Sequence, residues 1–92
     1  MEAYSQIISQ IIKYQEEIIG PVALEQAKKI SGLEVNTSDN VKITGNAKDI
    51  LGHLVEQYSR LFGRASIEVC KEAVGSLSDK ISQKDLPDIL KS

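Results

Sequence analysis

The stretch Ile19-Gly20-Pro21-Val22 marks the place where one predicted helix ends and the next begins. Glycine readily adopts the left-handed conformation that closes helices, and proline has its φ angle preset for a first helical turn. A residue before proline is also disfavoured in the helical region, so the break is expected at Gly20. The stretch predicts a tight corner between two helices; the alternative is a site where a ligand or partner approaches the exposed backbone.

A second stretch, Phe62-Gly63-Arg64-Ala65, has the same character and follows at an offset of 43 residues, the distance from Gly20 to Gly63. At this offset residues 7–33 overlay residues 50–76 without a gap, and apolar, small and glycine positions coincide. Shared breaks and small positions are stronger evidence than a shared apolar stripe, so the pattern indicates an internal repeat. Two helix–Gly–helix units would pack as four helices with approximate two-fold symmetry.

Predicted helix one covers residues 3–19 and carries a wide apolar stripe. The stripe spans an arc of roughly 140° at the helical period, more than one short partner helix would cover. Its isoleucines are Ile7, Ile8, Ile11, Ile12, Ile18 and Ile19. Gln15 falls near the middle of the arc, where its amide either finds a partner at a helix junction or sets the register of a subunit interface.

Three further helices are predicted. Helix two covers residues 21–31. Helix three begins after Asn46, whose side chain suits an N-cap, and continues to residue 62. It carries one apolar stripe, made of Ile50, Leu51, Leu54, Val55, Tyr58, Leu61 and Phe62. Helix four holds residues 66–74, with Gly75 just past its end. Because Arg64 stands where the first stretch has proline, the second break is weaker, and helices three and four could run on with only a kink.

The two remaining segments are less regular. Apolar residues alternate on both sides of Thr37-Ser38-Asp39-Asn40, which predicts a two-stranded hairpin with a four-residue loop. An irregular loop is the alternative, because an isolated hairpin is marginal unless it packs on something. The tail, residues 77–92, is polar, with one short closing helix near Pro87 and Asp85 as its possible cap.

Composition and charge exclude several classes of protein. The 92 residues fit one domain of ordinary globular composition, with 41% hydrophobic and 26% charged residues. A net charge of −2 without a basic cluster argues against nucleic-acid binding. No apolar run is long enough for a membrane span, and the N-terminus lacks the features of a signal peptide. Cys70, the single cysteine in the sequence, cannot form an internal disulfide, which fits a cytoplasmic location.

No residue set predicts catalysis, metal binding or a cofactor. His53 lies opposite the apolar stripe of helix three and is expected to be solvated, without partners for a metal site or a general base. Cys70 aligns with Ala27 and is interpreted as a small hydrophobe between helices. A redox role for this thiol would need an exposed, electropositive setting.

The stretch Tyr14-Gln15-Glu16-Glu17-Ile18-Ile19-Gly20-Pro21-Val22-Ala23 resembles small uncharacterised helical modules of prokaryotic signalling proteins. Those modules carry a leucine- or isoleucine-Gly-Pro-Ile-Ala segment before a helix and often lie beside kinase or receiver domains. The resemblance covers about the first third of the chain, and Arg64 departs from it in the second half. It implies a signalling accessory domain.

The sequence thus predicts an all-α domain of four main helices in two similar units, with a short hairpin between them. The expected role is a non-enzymatic interaction or oligomerisation module whose partner is a second copy or another protein. The expected contact residues are Ile8, Ile12, Gln15, Ile19, Gly20 and Pro21. The alternative is a redox sensor, or a sensor that binds a small apolar ligand between its helices, with Gln15, Tyr58 and Cys70 as the polar groups.

Overall fold

Helices and one β-hairpin make up most of the chain, whose computed structural model describes residues 3–77, 79 and 81–91. The elements are α1 (Ala3–Ile19), α2 (Val22–Ala27), β1 (Leu33–Thr37), β2 (Asn40–Ile43), α3 (Ala47–Phe62) and α4 (Ala65–Gly75). Two 3₁₀ turns follow, Gln83–Asp85 and Asp88–Leu90. The predicted helical class and the hairpin are confirmed, and no helix of the described residues is both long and apolar enough to cross a membrane.

The apolar stripes of α1 and α3 form the centre of an aliphatic core. The fully buried members are Ile7, Ile8, Ile11 and Ile12 on α1, and Leu51, Leu54, Val55 and Tyr58 on α3. Small side chains of the shorter helices, Ala23, Ala27, Cys70 and Ala73, are also fully buried. These small residues let α2 and α4 approach the long helices closely.

Both long helices end at a glycine with a positive φ angle, +75° at Gly20 and +87° at Gly63. In each case the glycine N–H donates to the carbonyl four residues earlier, over 2.9 Å to Glu16 and 2.8 Å to Ser59. The second break is therefore complete, and helices α3 and α4 do not run on with only a kink, the alternative that Arg64 had left open. Gly63 leaves the helical region by itself, so a following proline is not required.

The two shorter helices differ in length. Helix α2 ends at Ala27, four residues before the predicted end, and gives way to tighter turns such as Ile30 N–H to Ala27 O at 3.2 Å. Helix α4 instead runs through Gly75, which was expected to lie beyond its end. Gly32, the counterpart of Gly75 in the overlay, has a positive φ of +84°.

The hairpin has a shorter loop than predicted, because Ser38 and Asp39 form a two-residue connection. The register is Leu33 with Ile43, Glu34 with Lys42, Val35 with Val41, and Thr37 with Asn40. Packing stabilises it: Leu33 and Val35 are buried, the Ser9 hydroxyl donates to the Ser38 carbonyl, and Lys13 pairs with Asp39. Docking on α1 is the support that an isolated hairpin lacks.

The tail is more integrated than its polar sequence suggests. Leu86 and Leu90 are buried, and the two 3₁₀ turns replace the single closing helix that was predicted. The carboxylate of Asp85 accepts from Ser82 at 2.9 Å and caps no α-helix. Residues 78, 80 and 92 of the predicted tail lie outside the described residues, as do residues 1 and 2.

Candidate interaction surface at the helix junctions

Two buried hydrogen bonds connect the halves of the molecule in the same way. Gln15 Nε2 on α1 donates to the carbonyl of Ser66 on α4 over 3.1 Å, and Tyr58 OH on α3 donates to the carbonyl of Ala23 on α2 over 2.6 Å. Tyr58 follows Gln15 by 43 residues, and Ser66 follows Ala23 by the same offset. Each long helix therefore contacts the first turn of the short helix in the other half.

These bonds place both helix junctions, α1 to α2 at Gly20 and α3 to α4 at Gly63, at one end of the molecule, called here the junction end. Ala23 follows the end of α1 through Gly20, yet it is bound by Tyr58, which lies one turn from the end of α3. Contacts with the tail mark the opposite end. There Tyr4 OH, near the start of α1, donates to Asp85 O at 2.6 Å, and Lys48 Nζ, near the start of α3, donates to Lys84 O at 3.5 Å.

The contact residues expected from the sequence divide between core and surface. Ile8, Ile12 and Gln15 are buried within the chain, so a partner would reach them only if the fold opened. Ile19 and Gly20 are half-buried, and Pro21 is exposed. For Gln15, the partners are Ser66 O and Cys70 Sγ of the same chain, which matches the helix-junction interpretation of its amide.

Four large apolar side chains are exposed at the junction end: Ile18 (64%), Leu61 (49%), Val22 (38%) and Phe62 (37%). We call them the junction patch. Ile18 and Leu61 were expected on the core stripes, and each lies seven residues after a fully buried residue, Ile11 and Leu54. Seven residues are close to two helical turns, so each pair shares an angular position. The long helices thus extend past the elements that would cover them.

Acidic residues precede the end of α1, whereas basic residues flank the end of α3. Residues 14–22 include two acidic side chains, Glu16 and Glu17, and no basic one, whereas residues 57–65 include Arg60 and Arg64 and no acidic one. Glu17, Arg60 and Arg64 are exposed, and none of the three takes part in an ion pair with the described part of the chain. The sequence showed these charges, but only the fold brings them to one end.

The polar groups suggested for an interior ligand site are already satisfied. Gln15, Tyr58 and Cys70 are buried, and the first two donate to backbone carbonyls. Burial raises the pKa of the Cys70 thiol to about 11, although the hydrogen bond from Gln15 at 3.6 Å lowers it in part. Burial also raises the pKa of Tyr58, with smaller contributions from Cys70 and Glu16. Both groups are therefore neutral at physiological pH.

The single histidine, His53, is exposed on α3, as expected. It borders an open surface depression of about 280 Å³ whose other lining residues include Lys48, Asp49, Glu56 and Asp88. Within the described residues, no group of three or more His, Cys, Asp or Glu side chains is placed to hold a metal ion. Comparison with protein-family models, curated proteins and solved structures finds no match to this chain.

Proposed function

We propose that this chain is a non-enzymatic protein-interaction module that binds its partner through the junction end. The observation that carries the proposal is the junction patch, in which Ile18, Val22, Leu61 and Phe62 are exposed at the same end. Single apolar residues on a surface are ordinary, but a group of them indicates a contact surface. The apolar stripes of α1 and α3 continue from the core to this surface. A partner would therefore pack against the same helix faces that the core already covers further along each helix.

The interior of the molecule favours a protein-binding role over the alternative role as a ligand or redox sensor. The polar groups that a small ligand would need are used by hydrogen bonds between helices, and the Cys70 thiol is fully buried. The resemblance of residues 14–23 to modules of signalling proteins supports an accessory role in signalling.

The proposal treats the two helix pairs as a structural repeat, residues 7–33 and 50–76. The corner hydrogen bonds support this, because Ala23 N–H donates to Gly20 O and Ser66 N–H donates to Gly63 O, both over 3.1 Å. The bonds made by Gln15 and Tyr58 obey the same 43-residue offset. A repeat places an apolar helix end twice at one surface, which doubles the contact area.

Substitution of the junction patch tests the proposal. The double variant Ile18→Glu/Phe62→Glu changes two exposed residues, so it is expected to keep the helical circular-dichroism spectrum of the wild type. Val69→Glu is the control, because Val69 is a half-buried apolar residue of α4 that does not belong to the packed core. Light scattering over a concentration series measures self-association. Each variant is also immobilised, and any protein retained from a cell extract is identified, purified and titrated.

Binding to a purified partner, whether a second copy or another protein, should weaken by more than about tenfold in the double variant. The Val69→Glu variant should bind as the wild type does. The proposal fails if the wild type is monomeric throughout and retains no protein that the double variant does not also retain.

A further inference from the structure

We infer that the occupant of the junction patch is a second copy of this chain, which packs junction end to junction end about a two-fold axis. The inference rests on the proposed function and adds the identity of the partner and its orientation. Its basis is the opposite charge of the two sides of the patch. Glu16 and Glu17 lie beside the end of α1, and Arg60 and Arg64 lie beside the end of α3.

The charges occupy matching places in the two halves. Arg60 follows Glu17 by 43 residues, and both are exposed in the last turn of their helices. Ile18 and Leu61, the most exposed apolar residues of the patch, obey the same offset. The ends of the two long helices therefore present similar apolar side chains and charges of opposite sign, while the first turns of α2 and α4 each add one exposed acid, Glu25 and Glu68.

Such a surface is complementary to itself. In a two-fold contact, residue i of one copy meets residue j of the other, and j meets i. If the rotation axis runs between the two sides of the patch, the acidic side of each copy meets the basic side of the other. A rotation axis at right angles to it would place like charges together. Electrostatics therefore selects one orientation, in which Glu17 of each copy faces Arg60 of the other.

A partner of uniform charge would fit this surface less well, because it would repel one side of the patch. The self-contact also has the usual anatomy of an interface, an apolar centre with charged residues at the rim. The described Cα atoms extend over 29 × 27 × 19 Å, so one end of the molecule contributes a small contact area. Interfaces below about 1,200 Å² of total buried area are transient, and dissociation constants in the micromolar range are expected.

Charge reversal at the matching positions tests this orientation by sedimentation equilibrium, from about 10 µM to about 1 mM protein, a range suited to weak association. Glu17→Arg alone places arginine against Arg60 of the second copy, and Arg60→Glu alone places glutamate against Glu17. Each single variant should dimerise about tenfold more weakly than the wild type, because the two-fold axis repeats every unfavourable contact. An equimolar mixture should recover association to within about threefold of the wild type, since both contacts are again of opposite charge.

Glu34→Arg is the matched control, because Glu34 is an exposed acid on β1 of the hairpin and its reversal should leave dimerisation unchanged. Circular dichroism verifies the fold of each variant. A wild type that dimerises no more strongly than both single variants would overturn the inferred orientation, because in the other orientation Glu17 would face Glu17 and Arg60 would face Arg60, and neither reversal would weaken the contact. A wild type that is monomeric throughout would overturn the second copy as the partner. In either case the proposed function stands or falls separately, by the loss of any partner in the Ile18→Glu/Phe62→Glu variant.

Discussion

At the scale of single residues, the most informative positions are polar residues within apolar stripes. Gln15 on α1 and Tyr58 on α3 lie 43 residues apart, and each donates to a carbonyl in the first turn of a shorter helix. The amide and the hydroxyl differ in length and chemistry but satisfy the same kind of acceptor. Periodicity identifies Gln15 as a buried polar residue, but it could not identify Ser66 as the acceptor, because 51 residues separate them.

Cys70 gives a prediction about pH. Its thiol is buried, and its pKa rises from 9.0 in an exposed thiol to about 11 in the fold. Between these values the unfolded chain loses the thiol proton while the folded chain keeps it, so the unfolded state binds fewer protons and stability falls as pH rises. Urea unfolding at a series of pH values should show a loss that begins near pH 9 and reaches about 2 kcal/mol from this group by pH 11.

The Cys70→Ala variant separates the thiol from other groups. Burial raises the pKa of Tyr58 as well, so some alkaline destabilisation should remain in the variant. The part due to the thiol should disappear. Identical pH profiles for the variant and the wild type would show that ionisation of Cys70 has no part in the loss of stability.

At the scale of elements, the glycine that ends each long helix decides the architecture. Gly63 has φ +87° and ψ −176°, a combination that is essentially restricted to glycine, and a Cβ added there would meet no atom within 4 Å. Gly63→Ala should therefore destabilise the fold by about 1–3 kcal/mol through backbone strain alone. Gly75→Ala makes the same chemical change at an exposed helical position without a positive φ, and it should stabilise by up to about 1 kcal/mol.

Urea unfolding of both variants provides the measurement. Opposite signs are expected, because both sites have open space for the added methyl group and only the backbone conformation differs. Destabilisation of similar size in both variants would mean that Gly63 is not required for the break between α3 and α4.

Element positions were predictable where the signal is local. The bounds of α1 follow from its isoleucine period and from Gly20, and the start of α3 follows from Asn46, whose side chain accepts from Asp49 N–H at 3.0 Å. The early end of α2 was not predictable, since its apolar pattern continues to Ile30. The exposure of Ile18 and Leu61 was missed for a similar reason. Periodicity gives the angular position of a side chain, but it does not show how far along the helix a neighbour covers it.

At the scale of the whole molecule, the tail completes the core at the end opposite the junctions. Leu90 is 2% exposed, whereas its neighbour Ile89 is half-buried. Leu90→Ala should cost about 2–5 kcal/mol, the usual range for loss of a buried leucine, and Ile89→Ala should cost clearly less. Equal losses of unfolding free energy in urea would show that Leu90 does not contribute as a core residue.

The burial of the tail could not be derived from its composition. Leu86 and Leu90 lie among polar residues, and their contacts with the helices are distant in sequence. Gly52 of α3 is part of the reason for the fit, because a Cβ at this buried glycine would lie 3.3 Å from Pro87 Cβ. Likewise, the charged residues beside Gly20 and Gly63 do not predict a surface from the sequence alone. They come together only because α1 and α3 end on the same side of the molecule.

The separation of tail and junctions has a practical consequence for any tethered version of this domain. The start of α1 and the tail lie together at one pole, as the bond between Tyr4 and Asp85 shows, while the apolar patch lies at the other. A fluorophore or a carrier protein joined near residue 3 or residue 91 would therefore project away from the proposed contact surface. In a dimer formed through the two patches, such attachments would lie at opposite ends of the dimer. The dimer would then also keep the two attached groups apart.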